Sequence, residues 1–352
     1  MAAARNAVRR IGVLQGALVK RQTYRGRVES RRHQNTYDGR WPPDHGVGID
    51  NVEAQVAQAR PDPSATAPLY RELNTASLVN LQTNTLARQG YDMTQRGLMS
   101  QKVEVNGASI HYISSGIGDH ALLLLPGALG CAVTDFSPQV EHLDKAKFTV
   151  IAWDPRGYGN SRPPDRDWPL TFLSRDADDA AGMMEKLGYS SYSLLGWSDG
   201  GNTAMIMAAR YPERIRKLVM WGSNCFTTEK DMECIKAVRD LSKWSDRMKQ
   251  PFIHVYGEEY FKAQWEAWYQ AYSDYFYKNK GDICRDELKN ITSPTLIVHG
   301  DKDPMLDPVH PVYLHENIQN SRLVRWPEGK HNIHLRYFED FNKLVTDFLL
   351  EQ

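Results

Sequence analysis

No stretch of this 352-residue chain approaches the ~20 consecutive apolar residues that a membrane-spanning helix needs. Net charge is also missing. The 43 Lys and Arg balance 43 Asp and Glu, so no global electrostatic argument favours nucleic acid or an anionic membrane as partner. Cysteine is sparse: Cys131, Cys225, Cys234 and Cys284 are widely spaced and form no CxxC pair. That excludes a dense disulfide framework and points to reduced thiols. HExxH, a P-loop and a GxGxxG after a strand are all absent, so metal and nucleotide chemistry have no signature.

Acidic residues are absent from positions 1–28, which carry Arg5, Arg9, Arg10, Lys20, Arg21, Arg25 and Arg27. Val8, Ile11, Leu14, Leu18 and Val19 recur there at near-helical spacing. This is the pattern of a mitochondrial transit peptide, and it lacks the long apolar centre of a secretory signal. A basic tail is the competing reading. Residues 33–100 mix Pro, Asn, Gln, Thr and Arg without a sustained strand pattern, although Leu69–Leu86 could form a helix. Residues 1–100 are therefore expected to be targeting sequence plus an extension.

Order begins at Gln101. Val103–Val105 and Ile110–Ile113 alternate about Asn106-Gly107, predicting a hairpin. Ala121–Leu125 and Phe148–Trp153 are continuous apolar runs suited to buried parallel strands. Tyr192–Leu195, Leu218–Trp221, Thr295–His299 and Leu323–Trp326 read as further strands. Ala177–Leu187, Gly201–Tyr211 and Phe338–Leu350 read as helices. Strands alternating with helices imply an α/β fold, a mostly parallel sheet with helices on both faces, over 101–222 and 291–352. Residues 223–290 lack clear strands and are dense in aromatics, from Trp244 to Phe276. They are expected to form a helical cap over the carboxyl ends of the strands, where open α/β sheets bind ligands.

Gly196-Trp197-Ser198-Asp199-Gly200-Gly201 joins a predicted strand to a predicted helix. Gly-x-Ser-x-Gly in that setting is the nucleophile elbow of α/β-hydrolases: the tight turn lifts a serine hydroxyl above the sheet. A serine needs a base, and the base an orienting carboxylate. In that fold they follow in the order acid, then His. Asp303 follows one strand, in Gly300-Asp301-Lys302-Asp303-Pro304, and His331 follows another, in Pro327-Glu328-Gly329-Lys330-His331-Asn332. Asp301 is the rival acid, read as a solvated turn residue. His334 is read as the start of the final helix. Two backbone donors are needed for an oxyanion. One is the N–H of Asp199. The other comes from Pro126-Gly127-Ala128-Leu129-Gly130, with Ala128 ahead of Leu129. Cys131, beside this loop, is read as a packing residue rather than a reactive thiol.

Asp199 puts a carboxylate directly after the nucleophile. Facing the pocket, it would repel acidic substrates and attract an ammonium group; at the first helical turn, it would complement the helix dipole. Residues alone leave these two readings even. Together with Leu124-Leu125-Pro126-Gly127, Trp153–Gly159, Ser161–Asp167 and Pro327–Asn332, the elbow resembles the valacyclovir hydrolase (biphenyl hydrolase-like) family of α/β-hydrolases. The likeness runs from about Gln101 to the C-terminus. It implies a serine hydrolase of α-amino-acid esters, with Ser198, Asp303 and His331 as its triad and Asp199 binding the substrate ammonium. It also implies a mitochondrial location. A monomer acting on a small-molecule ester, with no cofactor, metal, nucleic acid or membrane span, is expected. A general carboxylesterase or peptidase-like hydrolase without amine selectivity, and a catalytically silent binding module, are the rivals.

Overall fold

The computed structural model describes residues 98–352. The expected targeting segment, extension and Leu69–Leu86 helix lie outside the described residues, except that Leu98–Ser100 already belong to the first strand. The first strand therefore starts three residues before Gln101.

Strand β1 (Leu98–Val105) pairs antiparallel with β2 (Ala108–Ser115) through the expected hairpin. Asn106 and Gly107 take φ of 46° and 76°, the left-handed pair that a two-residue turn needs to match strand twist. The remaining strands are β3 (His120–Leu125), β4 (Phe148–Trp153), β5 (Tyr192–Trp197), β6 (Ile215–Trp221), β7 (Thr295–Gly300) and β8 (Ser321–Trp326). Their order across the sheet is β1-β2-β4-β3-β5-β6-β7-β8. β2 meets β4 antiparallel, and every pairing from β4 to β8 is parallel. β3, β5 and β7 are central and buried almost throughout, which is why their sequences are continuous apolar runs rather than alternating ones.

Helices cover both faces. α1 (Ala132–His142) and the C-terminal helix close one core around Phe136, Trp221 and Phe341. α2 (Phe172–Lys186) and α3 (Asp199–Arg210) close the other around Phe172, Leu194 and Met205. Buried Arg166 makes a bidentate pair with Asp176 of α2, at 2.7 and 2.6 Å, under the same layer. α2 starts at Phe172, five residues before the expected Ala177.

Between β6 and β7 the chain forms α4 (Glu229–Arg239), α5 (Asp246–Tyr256), α6 (Glu258–Lys278) and two short 3₁₀ turns, Leu241–Lys243 and Arg285–Asn290. The inserted segment is thus helical, apart from one isolated bridge between Phe226 and Asp282. Trp244, Phe252, Phe261 and Trp265 pack together as its own small core. After β7 come α7 (Val309–Asn317), the short α8 (Ile333–Arg336) and α9 (Phe338–Leu350). His334 therefore does not begin the final helix. It sits in α8, and the non-helical backbone of Tyr337, with φ −123° and ψ 45°, separates it from α9. All four cysteines are buried thiols outside any disulfide.

α3 can approach the sheet only because its first turn is glycine. A Cβ on Gly200 would lie 2.0 Å from the Leu125 carbonyl oxygen, and one on Gly201 would lie 1.8 Å from Ser223 Oγ. A backbone carbonyl in a central strand cannot turn aside. Gly200→Ala is therefore expected to lower stability by about 3 kcal/mol, the upper end of ordinary overpacking. Urea unfolding checks this, and an unchanged midpoint would refute the close approach.

Candidate active site

Ser198 occupies the joint between β5 and α3 with φ 54° and ψ −123°. A side chain in that region costs on the order of 1–3 kcal/mol and persists only when its surroundings impose it. Here they do. Ser198 N–H donates to Trp221 O at 3.0 Å, while its own carbonyl accepts from Gly201 N, Asn202 N and Ser223 Oγ at 2.8, 3.1 and 3.2 Å. The side chain is half-buried at the carboxyl edge of the sheet.

Asp303 and His331 converge on the same edge from the ends of β7 and β8. His331 Nδ1–H donates to Asp303 Oδ2 at 2.8 Å, and Met305 N–H donates to Asp303 Oδ1 at 2.8 Å. The Asp303 side chain is 1 % exposed and that of His331 17 %. Asp301 points elsewhere, to Arg325 Nε at 2.6 Å on the surface. Burial works against the charge of His331, but the Asp303 charge and hydrogen bond outweigh it, with help from Asp199, and move its pKa up. Burial likewise works against the Asp303 charge, and His331 with the Met305 N–H moves the net direction down. The pair is poised to hold a proton on His331 opposite an ionised Asp303.

Ser198 is joined to this pair by neighbours. Among the described residues its hydroxyl makes no hydrogen bond to His331. Instead Trp197 Nε1–H donates to His331 O at 2.9 Å, with the two rings 5.4 Å apart. Gly222, at φ 59°, passes so close that a Cβ there would be 2.9 Å from His331 Cε1. His334 has a different task. Trp221 Nε1–H donates to His334 Nδ1 at 2.9 Å, and indole nitrogen only donates. The proton of His334 must then sit on Nε2, which donates to Asp135 O at 2.9 Å. Burial pushes this imidazole down to about 3, so it stays neutral.

The loop Pro126–Gly130 lies against the serine. A Cβ on Gly127 would be 3.3 Å from Ser198 Cβ. Gly130 N–H donates to Gly127 O at 3.0 Å, closing a turn in which Leu129 has φ 54°. Ala128 is partly exposed, whereas Leu129 is buried. Among the described residues, neither the Ala128 N–H nor the Asp199 N–H has a protein acceptor. Cys131 is buried beside the loop, and burial raises its thiol to about 12, far from the range of a reactive thiolate.

Asp199 is 6 % exposed. Both of its oxygens are engaged from the cap: Tyr272 OH donates to Oδ1 at 2.5 Å and Trp268 Nε1–H to Oδ2 at 3.0 Å. Burial raises its pKa, against the lowering effect of these two donors and of Arg166. A small cavity beside it, about 10 Å³, is lined by Pro126, Gly127, Tyr158, Arg166, Phe172 and Asp199. That is near the minimum for a single water. A second cap contact reaches the loop: Tyr256 OH donates to Leu129 O at 2.8 Å and accepts from Gly159 N–H at 3.1 Å. Tyr256, Trp268 and Tyr272 belong to the aromatic-dense inserted segment, but the sequence did not say which of its aromatics reach the site. The four-residue spacing of Trp268 and Tyr272, which puts both on one helical face, was the available signal. Among the described residues no cluster of His, Cys, Asp or Glu is arranged to hold a metal ion, and no helix is long and apolar enough to cross a membrane.

Comparison with known proteins places these features in context. A family model described as alpha/beta hydrolase fold matches residues 120–264. Serine hydrolase BPHL of Homo sapiens and that of Mus musculus are each 51 % identical over 250 residues, covering 71 % of this chain and 86 % of theirs. A 2-hydroxy-6-oxononadienedioate/2-hydroxy-6-oxononatrienedioate hydrolase of Pseudomonas sp is 28 % identical over 272 residues, covering 70 % of this chain and 93 % of its own. Among solved structures, a serine hydrolase from Cycloclasticus zankles superposes with a TM-score of 0.60 at 18 % identity, over 73 % of this chain and all of that one.

The two histidines should separate in a pH titration followed by NMR. His331 should titrate above the ordinary imidazole value of ~6.5, and Asp303→Asn should bring it down. His334 should remain neutral throughout the range in which the fold survives. Its depressed pKa means that the stability it contributes is complete above ~6.5 and is lost as pH falls toward about 3. A His334 that charges near pH 6.5 would contradict the assigned tautomer and its burial.

Proposed function

The chain belongs to the BPHL family of α/β-hydrolase-fold serine hydrolases, and from that premise we propose that it cleaves esters of α-amino acids through an acyl-enzyme. The observation that carries the substrate class is Asp199, a buried carboxylate fixed directly after the nucleophile. A carboxylate offers about four lone-pair directions, and Tyr272 and Trp268 use two. The others remain for the ammonium of an amino acid whose carbonyl lies over Ser198.

In this reading Ser198 Oγ bonds to the ester carbon as its proton passes to His331 Nε2. The N–H groups of Ala128 and Asp199 receive the oxyanion. Asp303 orients His331 and supports its charge. Collapse of the tetrahedral intermediate breaks the ester C–O bond, and the alcohol leaves with the proton from His331. A water then gives a proton to His331 while its oxygen attacks the acyl carbon. The Ser198–acyl bond breaks, the serine recovers its proton, and free amino acid departs. Esters of apolar amino acids, and aminoacyl thiolactones, are the substrates this arrangement suits. The dienedioate in the name of the Pseudomonas relative is anionic, and the Asp199 charge opposes such a molecule here. The acid-free, Arg-rich residues 1–28 support a mitochondrial location.

One observation favours a second reading. Because both Asp199 oxygens already accept from cap residues, the carboxylate could serve only to tie cap to core, leaving an esterase indifferent to the amine. Hydrolysis of a valine ester against its N-acetylated twin separates the two. A charge-assisted hydrogen bond of roughly 1.5–3 kcal/mol gives about 10- to 150-fold preference for the free amine, lost in Asp199→Asn. Ser198→Ala should abolish turnover and labelling by a fluorophosphonate while leaving the fold intact. Equal rates on both esters would remove the amino-acid assignment, and activity surviving in Ser198→Ala would remove the serine mechanism.

A further inference from the structure

Asp135 is a buried carboxylate that the mechanism above does not use. It lies in the first turn of α1, 4 % exposed, and among the described residues no cation pairs with it. Burying an acid without a cation is unfavourable unless its hydrogen bonds compensate, so where those bonds go is informative. Oδ2 accepts from Gly127 N–H at 2.9 Å, and Oδ1 accepts from Thr134 Oγ1 at 2.8 Å. The carboxylate also fills the space under Gly130, where a Cβ would come within 1.9 Å of Oδ2. Gly127 and Gly130 are the two ends of the turn that presents Ala128. The same residue's carbonyl accepts from His334 Nε2–H, and the His334 ring lies 4.6 Å from that of Trp197. Asp135 thus touches the loop through its side chain and the Ser198–His331 region through its backbone.

We propose that Asp135 is a positioning residue that sets the oxyanion loop: its carboxylate holds the Gly127 N–H so that the next N–H, that of Ala128, points at the carbonyl above Ser198. The inference rests on the serine-hydrolase mechanism proposed above. A neutral isostere with a carbonyl oxygen can still accept from Gly127, whereas an aliphatic side chain of similar size cannot. Burial raises the Asp135 carboxyl to about 7, opposed by the Thr134 and Gly127 donors and reinforced by the nearby Asp154 charge. The buried Cys131 thiol faces it too and remains protonated. The Gly127 donor is thus one of the groups that favour the ionised carboxyl.

The test compares wild type, Asp135→Leu and Asp135→Asn in the full-length protein. The substrate is a valine ester, and the analogue is a trifluoromethyl ketone that forms a tetrahedral adduct with the serine. Asp135→Leu should lose about 10²-fold in kcat, the scale of one oxyanion donor, with KM nearly unchanged. Ketone affinity should fall by a similar factor. Asp135→Asn should restore most of kcat. A Leu variant with wild-type kcat, an Asn variant as slow as the Leu variant, or a loss confined to KM would each overturn the proposal. Wild type that neither turns over ester nor reacts with fluorophosphonate would instead refute the underlying mechanism. If the Leu variant does not fold, NMR of the Gly127 amide decides. Its proton should exchange slowly in wild type and in Asp135→Asn, as a bonded donor does; a Gly127 amide that exchanges as fast as a solvent-exposed one would overturn the proposal.

Discussion

A serine held with positive φ is the constraint from which the rest of the site follows. The strand must end at Trp197, the helix must begin at Asp199, and no relaxed turn fits between them. Four hydrogen bonds, one donated by Ser198 N and three accepted by its carbonyl, enforce the conformation. One of them comes from β6 through Trp221, so the neighbouring strand takes part in holding the turn. The glycines at 200 and 201 follow from the same geometry, since α3 must start within contact of β3 and of Ser223. The strain is local, and the structure that supports it spans three strands and a helix.

Around that turn the polar groups divide by charge state. His331 is held so that it can gain a proton against Asp303. His334, three residues later in sequence, is held so that it cannot. The difference is made by partners: a carboxylate for one, an indole N–H and a carbonyl for the other. The result is one imidazole suited to proton transfer and one suited to bracing, both packed against Trp197.

The sheet, and the gathering of the candidate site residues at its carboxyl edge, were legible in the sequence because their signals are local. The Gly196–Gly201 pattern sits on a strand–helix joint. Asp303 and His331 each follow an apolar run, and Asn106-Gly107 declares its turn. What was not legible depended on long-range or burial-dependent contacts. α1 carries Pro138 and Ser137, which obscure helical periodicity. α2 contains Asp176, which reads as solvent-facing until Arg166 is brought beside it. Asp135 reads the same way and is buried. Tyr272 and Asp199 are 73 positions apart. Aromatics also occur so densely along α6 that no single face stands out before the helix is docked. The first residues of β1 (Leu98–Val105) were not read as strand because the strand is largely exposed and its polar residues interrupt the apolar pattern.

The hydroxyl of Tyr256 and the polar tips of Trp268 and Tyr272 carry an implication for how this architecture can diversify. An inserted segment that merely shielded the pocket could be exchanged between relatives as a cassette, altering selectivity while the chemistry stayed intact. Here the insertion's side chains end on Leu129 O, Gly159 N and the Asp199 carboxylate. The insertion and the sheet edge that carries Ser198 are therefore joined through shared atoms. A lineage that replaced the insertion wholesale would have to rebuild the backbone alignment beneath it at the same time, so change is channelled into single substitutions on the inner face of α6.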